Sequence, residues 1–566
     1  MPAQGLIHRH RTLPNVHRLK PLNDALIAGA LALAAAQACA ATPDAGQISR
    51  EPRSPVPLAS PSSPALKVDK PTTDSVPEGG PTVVVSAFEL QGNTVFDTPT
   101  LQALLADELG RPLTFADLTR LAARLTRHYR DAGYLVARAY LPAQEVNDGV
   151  LRIAVLEGRL SQVELMNAAG LKPSALAALG QLPADQPLQA RVLDQTLLTL
   201  ADLPGSQVQS TLRPGQALGA SELLVEVSRT RGVEGSADLD NFGSTYTGEY
   251  RAGSSLYWNN PLALGDQLSL RVQVSNDHLN YERLAYQLPL GVYATRLGVA
   301  VSNMSYRLGK DFSSLDADGR SQVSSAYLRQ GLLRSIDANW YGQLQFDAKR
   351  LRDSVDSTDT TTHQRLRNWV LGLNGDWRDG LGAGGSNTLL LNLTVGKLSL
   401  DADSAALDAV SAQTAGDFNK FELALQRVQF LRPGWSLALN LRGQAADHNL
   451  PSVEKFALGG SQGVRAYPQG EALGDSGWLA SAELRWNLAP GWQLQAFGDA
   501  GGVKLNRQPW LDEDNFRHLS GLGLGASWGT PRLAVSLSSA WATSSESSTS
   551  QPDRRPRLWA QASYAF

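Results

Sequence analysis

Apolar positions change their period partway along the chain, and the change divides it. Up to about Val227, helical spacings alternate with short apolar runs. Val83-Val84-Val85 and Phe88-Glu89-Leu90 predict a strand that stops at the Gly92-Asn93 turn. Leu101, Leu104, Leu105 and Leu109 fall on one helical face. Phe115, Leu118, Leu121, Leu125 and Tyr129 mark a second helix, opened by a Thr114 cap and ended by Gly133. Strands Tyr134–Leu141 and Val150–Glu157 complete a β-α-α-β-β unit. A weaker copy follows: strand Leu160–Leu165, helices near Pro173–Leu179 and Arg191–Ala201, and strands Val208–Arg213 and Glu222–Val227. Tandem copies of a small unit suit a docking array better than a catalytic domain.

After Arg231 the period becomes two. In Gln267–Ser275, Leu268, Leu270, Val272 and Val274 oppose Ser269, Arg271, Gln273 and Ser275. In Trp478–Leu488, Trp478, Ala480, Ala482, Leu484, Trp486 and Leu488 oppose Ser481, Glu483, Arg485 and Asn487. The terminal Leu558–Phe566 alternates in the same way. A soluble sandwich also alternates. Here, however, the polar faces carry charge in many strands, and Trp and Tyr stand near strand ends. That is the polar lumen and aromatic girdle of an outer-membrane barrel. Sixteen strands are expected, beginning near Glu234, Gly248, Gln267, Glu282, Thr295, Ser321, Ala338, Arg365, Ser386, Lys420, Gly434, Ser476, Gly491, Leu519, Pro531 and Arg557. At roughly 21 residues per strand and connection, tilted spans of ~9–11 residues leave short turns on one side and long loops on the other.

Composition reinforces the division. All 12 Trp fall after position 231, and proline clusters between Pro43 and Pro81. The formal net charge of -3 is small for this length, and no acidic or basic tail suggests a nucleic-acid partner. A basic leader (Arg9, Arg11, Arg18, Lys20), an apolar run of about 12 residues from Ala25, and Ala38-Cys39-Ala40 read as a signal peptide, because a spanning helix needs ~20. Cys39 is the only cysteine, which excludes an intramolecular disulfide. The expected boundaries are a signal peptide at 1–40, a Pro-rich linker at 41–81, α/β units at 82–158 and 159–231, and a barrel at 232–566.

One long connection, 447–475, holds Gly459-Gly460-Ser461-Gln462-Gly463-Val464-Arg465-Ala466-Tyr467-Pro468. Downstream, Trp492, Leu494 and Ala496 take the lipid face, so Phe497, Asp499 and Gly501 point into the lumen. A confined carboxylate wants a cation, and Arg465 is the natural candidate, against the blander reading of an exposed Arg and a solvated Asp. Signals for chemistry are weak. The G-x-S-x-G match at Gly459–Gly463 lacks a following helix, because Pro468 blocks it. Asp316-Ala317-Asp318-Gly319 lacks the distal Glu of a calcium loop. His128, His278, His363, His448 and His518 are scattered, and no P-loop sequence occurs. No catalytic residue, metal site or cofactor is assigned.

These residues resemble a known family. Val464-Arg465-Ala466-Tyr467 is similar to the VRGY loop motif of the outer-membrane transporters of two-partner secretion, the haemolysin/haemagglutinin secretion–activation family of the BamA-type superfamily. Phe497–Gly501 resembles their FxDxG strand motif. Gly133-Tyr134-Leu135-Val136, Arg138-Ala139-Tyr140-Leu141-Pro142, Gly149-Val150-Leu151 and Glu157-Gly158 resemble the first POTRA domain. Asp240-Asn241-Phe242-Gly243, Gly248, Asn260-Pro261-Leu262 and Gly265-Asp266 resemble the first barrel hairpin. The resemblance implies a membrane all-β fold: a 16-stranded antiparallel barrel preceded by two periplasmic α/β POTRA domains. It implies a loop folded into the pore and paired through Arg465 with Asp499, and POTRA docking around Tyr134, Arg138 and Tyr140. It also implies a large secreted exoprotein with an N-terminal secretion domain as partner, with outer-membrane lipid and periplasmic chaperones around it. Two departures stand out. Ala466 replaces the motif's glycine. Thr42–Pro81 offers no convincing counterpart of the family's plug helix, which leaves that plug absent, short or unrecognisable. The competing readings are a general barrel-assembly factor and a passive porin.

Overall fold

A computed structural model describes residues 42–49, 65–68, 81–146 and 148–566. The expected signal peptide at 1–40, Cys39 and the rest of the Pro-rich stretch lie outside the described residues.

Sixteen antiparallel strands close into a barrel. They are β1 Val233–Asp240, β2 Arg251–Asn259, β3 Gln267–Ser275, β4 Asn280–Leu290, β5 Thr295–Arg307, β6 Ala317–Arg334, β7 Ala338–Val355 and β8 Thr360–Asp379. Then follow β9 Gly385–Leu400, β10 Gly416–Arg432, β11 Trp435–Ala446, β12 Ser476–Ala489, β13 Trp492–Lys504, β14 Phe516–Gly529, β15 Leu533–Ala542 and β16 Arg557–Ala565. Closure joins β1 to β16 from Ser236–Ala565 to Asp240–Gln561, so no edge is left for lipid to desolvate. The dyad pattern sets the faces. On β12, Trp478, Leu484 and Trp486 are exposed while Glu483 is buried at 7%. Stacked pairs Trp340–Trp377 and Trp435–Trp486, with ring centroids 5.6 and 5.3 Å apart, mark the periplasmic ends of the apolar band.

Two features differ from the sequence reading. Strands β6, β7 and β8 run to 18, 18 and 20 residues, well beyond the ~9–11 that cross lipid, so their outer ends stand above the bilayer. The lumen is also not uniformly polar. Near those outer ends, inward Leu351, Leu366, Leu398 and Phe418 form an apolar cluster with Tyr246, Met304, Phe312 and Leu450. Alternation marked both faces of these strands, but it could not show that lumen positions above the membrane face packed protein rather than water.

That cluster is completed from the linker. Asp44 caps a single helical turn, Ala45–Ile48, by accepting from the Gln47 backbone N–H at 2.8 Å. Ala45 and Ile48 are buried at 0% and 1%. The Ala45 backbone N–H donates to Asp353 at 2.7 Å, and the Tyr306 hydroxyl donates to the same carboxylate at 2.6 Å. Gly46 lies against Ser452 and Val453 of the long loop, where a Cβ would stand 2.7 Å from the Val453 nitrogen. Among the described residues of the stretch where the sequence left a plug open, the helix is this single turn. So short a helix has no periodicity of its own and owes its stability to its partners.

The first α/β unit places strand Ala87–Gln91 beside Val150–Leu156, with Arg138–Tyr140 on the far side. Its main helix, Phe115–Asp131, opens on a capping box of Thr114 and Asp117 and buries Leu118, Leu121, Leu125 and Tyr129. The expected strand Tyr134–Leu141 shortens to Arg138–Tyr140, because Tyr134 turns inward to pack against Phe96 and Tyr129. The expected first strand divides into Val83–Val84, which pairs with Pro112–Leu113, and Ala87–Gln91. Glu157 ties the unit together by accepting from the Thr94 and Val95 backbone N–H groups at 2.6 and 2.7 Å and from the Tyr129 hydroxyl at 3.0 Å. Burial pushes its carboxyl up, but these hydrogen bonds outweigh burial and hold it below its ordinary value.

The second unit has a sheet ordered 65–68, 206–214, 220–229, 159–167. Its outermost strand is Ala65–Val68 from the Pro-rich linker, which pairs in parallel with Gln209–Leu212. The linker is thus not all unpaired chain. The unit is clamped to the barrel. Asp202, at the end of helix Ala190–Ala201, accepts from Arg334 of β6 at 2.6 and 2.7 Å, while Arg296 of β5 donates to its carbonyl. The Lys172 backbone N–H donates to the Ala263 carbonyl in the β2–β3 turn at 2.8 Å.

Candidate functional site

Residues 447–475, between β11 and β12, fold into the barrel and carry an apolar core of their own. Phe456, Leu458, Val464, Ala466 and Tyr467 are all at most 6% exposed and pack on Leu479, Phe497, Val503 and Leu519 of the wall. Two short strands, Phe456–Ala457 and Leu473–Gly474, tie the base of the loop.

At its tip, Arg465 meets Asp499. Arg465 Nε and Nη2 each donate to the Asp499 carboxylate at 2.8 Å, and the Arg465 backbone N–H donates to it at 3.1 Å. The Asp499 side chain is 1% exposed and that of Arg465 13%. Bidentate geometry of this kind suits guanidinium, and low solvent access strengthens it. The register brings further partners that the sequence reading did not assign. Ser481 stands opposite Asp499 and donates to it at 2.8 Å; Glu483 stands opposite Phe497 and accepts from Arg465 Nη1 at 2.8 Å. Parity had already put both on the face opposite Trp478; strand register was the missing step. The Phe497 ring lies under the guanidinium at 3.3 Å, and Trp559 Nε1 donates to the Arg465 carbonyl at 2.7 Å.

The other motif residues fall into place around this pair. Val464 is fully buried, and the Tyr467 hydroxyl bonds Ser544 and the Glu546 carbonyl at 2.7 and 2.8 Å. Gly501 backs onto Leu458, leaving no room for a side chain. Ala466, which departs from the resembled motif, sits at an ordinary negative φ, so its Cβ costs no backbone strain. Instead that Cβ fills the space above Gly521, where a second Cβ would stand 2.6 Å from it.

Three more carboxylates of the loop form ion pairs, none of them assigned from sequence. Glu454, 3% exposed, accepts from Lys349 of β7 at 2.5 Å and from Lys420 of β10 at 2.8 Å. Burial pushes its carboxyl up, but the two ammoniums outweigh burial and hold it well below the usual carboxylate range. Glu471 accepts from Arg517 of β14 at 2.5 Å, and Asp475 from Lys455 at 2.8 Å. Glu471 also receives the Thr549 and Ser550 backbone N–H groups, which ties the loop to the β15–β16 connection.

In the first α/β unit, the Tyr134 hydroxyl accepts from Gln189 of the second unit at 2.9 Å, so this half-buried ring joins the units. Arg138 and Tyr140 lie on the edge strand, the former exposed and the latter half-buried. Ser461 lies at the turn of the long loop, and Asp316 takes a left-handed φ of 43° in the β5–β6 turn.

The family model for haemolysin secretion/activation protein ShlB/FhaC/HecB matches residues 219–528. The chain belongs to that family. A model for the ShlB-type POTRA domain matches residues 83–158, the first α/β unit. Among curated relatives, the heme/hemopexin transporter protein HuxB of Haemophilus influenzae (strain 86-028NP) is 28% identical, over 69% of this chain and 70% of its own. The outer membrane transporter CdiB of Escherichia coli O6:K15:H31 is 26% identical over 80% and 76%. The hemolysin transporter protein ShlB of Serratia marcescens is 25% identical over 90% and 89%. The solved structure of CdiB from Escherichia coli superposes with a TM-score of 0.69 at 22% identity, covering 98% of this chain and all of that one. That likeness concerns the fold. The protein is an outer-membrane transporter of two-partner secretion, with its POTRA domains in the periplasm and a secreted exoprotein as its partner. This decides against a general assembly factor and a passive porin.

Proposed function

We propose that the POTRA domains capture the exoprotein unfolded, through its N-terminal secretion domain, by strand addition to their open sheet edges, and pass it to a pore whose loop must release before the chain can cross. The observation that carries this reading is the pinning of loop 447–475 across the lumen by Arg465–Asp499, Glu454–Lys349/Lys420 and Glu471–Arg517. A loop so held, together with the Ala45–Ile48 turn and the apolar cluster, blocks the lumen at rest. Strand addition is supported by strand Arg159–Asn167, nine residues long, whose free side among the described residues is engaged only at Arg159 and Leu160, and by the Arg138–Tyr140 edge. Main-chain pairing tolerates any sequence, as an export site must. The sequence holds no P-loop for nucleotide energy, so folding outside the cell drives net export. Periplasmic chaperones would keep the cargo unfolded until capture. The cargo is a haemolysin-, adhesin- or haemagglutinin-like exoprotein. A photo-crosslinker at Arg138 or Val163 should trap a stalled exoprotein, and one on helix Phe115–Asp131 should not. Equal labelling from all three positions would sink the edge-capture reading.

A further inference from the structure

Outside the lumen, the outer ends of β6–β9 carry a band of cations on the face turned away from the pore. Arg320, Arg350, Arg352, Arg365, Arg367 and Lys397 are exposed. Their alternating neighbours Leu351, Leu366 and Leu398 are buried in the lumenal cluster, which fixes the cations as outward-facing. Three pairs of these like charges stand directly opposite across the ladder: Arg320 and Arg352, Arg350 and Arg365, Arg367 and Lys397. Directly opposed like charges destabilise a sheet unless something neutralises them. On the same faces the acids are Asp318 and Asp417. Lys397 pairs with Asp417 at 3.6 Å, while among the described residues the five arginines make no ion pair.

The position of the band says what neutralises it. One outward step below Arg367 lies Trp369, 53% exposed and packed on Phe346 at 4.9 Å between ring centroids. Val395 and Phe421, 51% and 46% exposed, continue this upper rim of the apolar band. Aromatic rings of this kind sit at headgroup level. The cations therefore begin where acyl chains end and phosphate groups begin, on the side away from the POTRA domains.

We infer that this wall binds the phosphate groups of the outer leaflet's lipopolysaccharide. Facing arginines at cross-strand distance present converging N–H donors that one phosphate accepts together, and guanidinium forks suit phosphate better than ammonium does. Two such arginine pairs, with Arg367 facing Lys397 beside them, match a headgroup with more than one phosphate. Bound lipid would then brace the half of the barrel whose long strands rise above the membrane.

The test uses the full-length transporter in detergent, titrated with lipid A, with dephosphorylated lipid A and with sodium phosphate. Thermal unfolding midpoint and co-purifying lipid are the readouts. The wild type should prefer phosphorylated lipid A at least tenfold. A variant carrying Arg350→Gln, Arg365→Gln and Arg367→Gln should bind on the order of a hundredfold more weakly, with resting conductance unchanged. Should that variant fail to fold, Arg350→Gln and Arg367→Gln alone should each weaken binding roughly fivefold. Equal binding of the two lipids, unaltered binding by the folded variants, or a matching shift from sodium phosphate at the same concentration would overturn the inference.

Discussion

Replacing Asp499 with Ala removes an acceptor shared by four donors, the Arg465 backbone N–H, its Nε and Nη2, and the Ser481 hydroxyl, and leaves Nη2 only the Ser481 oxygen at 3.3 Å. Breaking a buried pair from one side costs ~3–5 kcal/mol when the remaining charge has no other partner. Here Arg465 keeps Glu483 at 2.8 Å and the Phe497 ring, and its side chain is 13% exposed, so the lower end applies. About 3 kcal/mol shifts the balance between docked and released loop roughly a hundredfold toward release. Val464, fully buried when the loop is docked, is the reporter position. A cysteine there should be nearly inert to a membrane-impermeant thiol reagent in the parent and react on the order of a hundredfold faster in Asp499→Ala, in step with higher resting conductance. Adding Arg465→Ala should cost little more, because the two groups act as one unit. Unchanged labelling and conductance in Asp499→Ala would refute the view that this pair pins the loop.

Three other outcomes follow from the same geometry. Glu454→Gln leaves the Lys349 and Lys420 ammoniums without their shared carboxylate, so the folded barrel should lose on the order of 3 kcal/mol in denaturant unfolding, with the loop becoming protease-sensitive first. Gly521→Ala should undock the loop tip by steric conflict with Ala466, and Ala466→Gly, which restores the motif's own residue, should rescue both thiol protection and conductance. Glu157 has a folded-state value below its unfolded 4.5, so its contribution is fully present above that pH and is lost as pH falls through the folded value. Urea unfolding of the isolated first POTRA domain should therefore weaken below about pH 4.5, and Glu157→Gln should flatten that dependence while lowering neutral stability by about 1–3 kcal/mol.

The barrel was legible because lipid enforces a strict rule. Each spanning strand must show apolar side chains outward, so parity in Trp478–Leu488 and Trp492–Gly501 placed Glu483 and Asp499 in the lumen without any structure. Strand starts came within a few residues; the largest displacement, at β8, brings Arg365 back to Thr360. Above the membrane that rule lapses, and there the reading fell short. The same two-residue period in Arg365–Trp369 hides an apolar lumenal face and a cationic outer face. The loop's other anchors were illegible for a different reason: Lys349, Lys420 and Glu454 are far apart in sequence, and no spacing announces their meeting. The Ala45–Ile48 turn and the Ala65–Val68 strand, four residues each, are shorter than any period could reveal.

Dedicated export of a secreted partner can be checked by deleting the gene and comparing secreted and outer-membrane proteins with those of the parent strain. One or two large exoproteins should disappear from the medium and return with the intact gene, while the other outer-membrane barrels stay at parental levels. Broad loss of those barrels, or an unaltered set of secreted proteins, would contradict it.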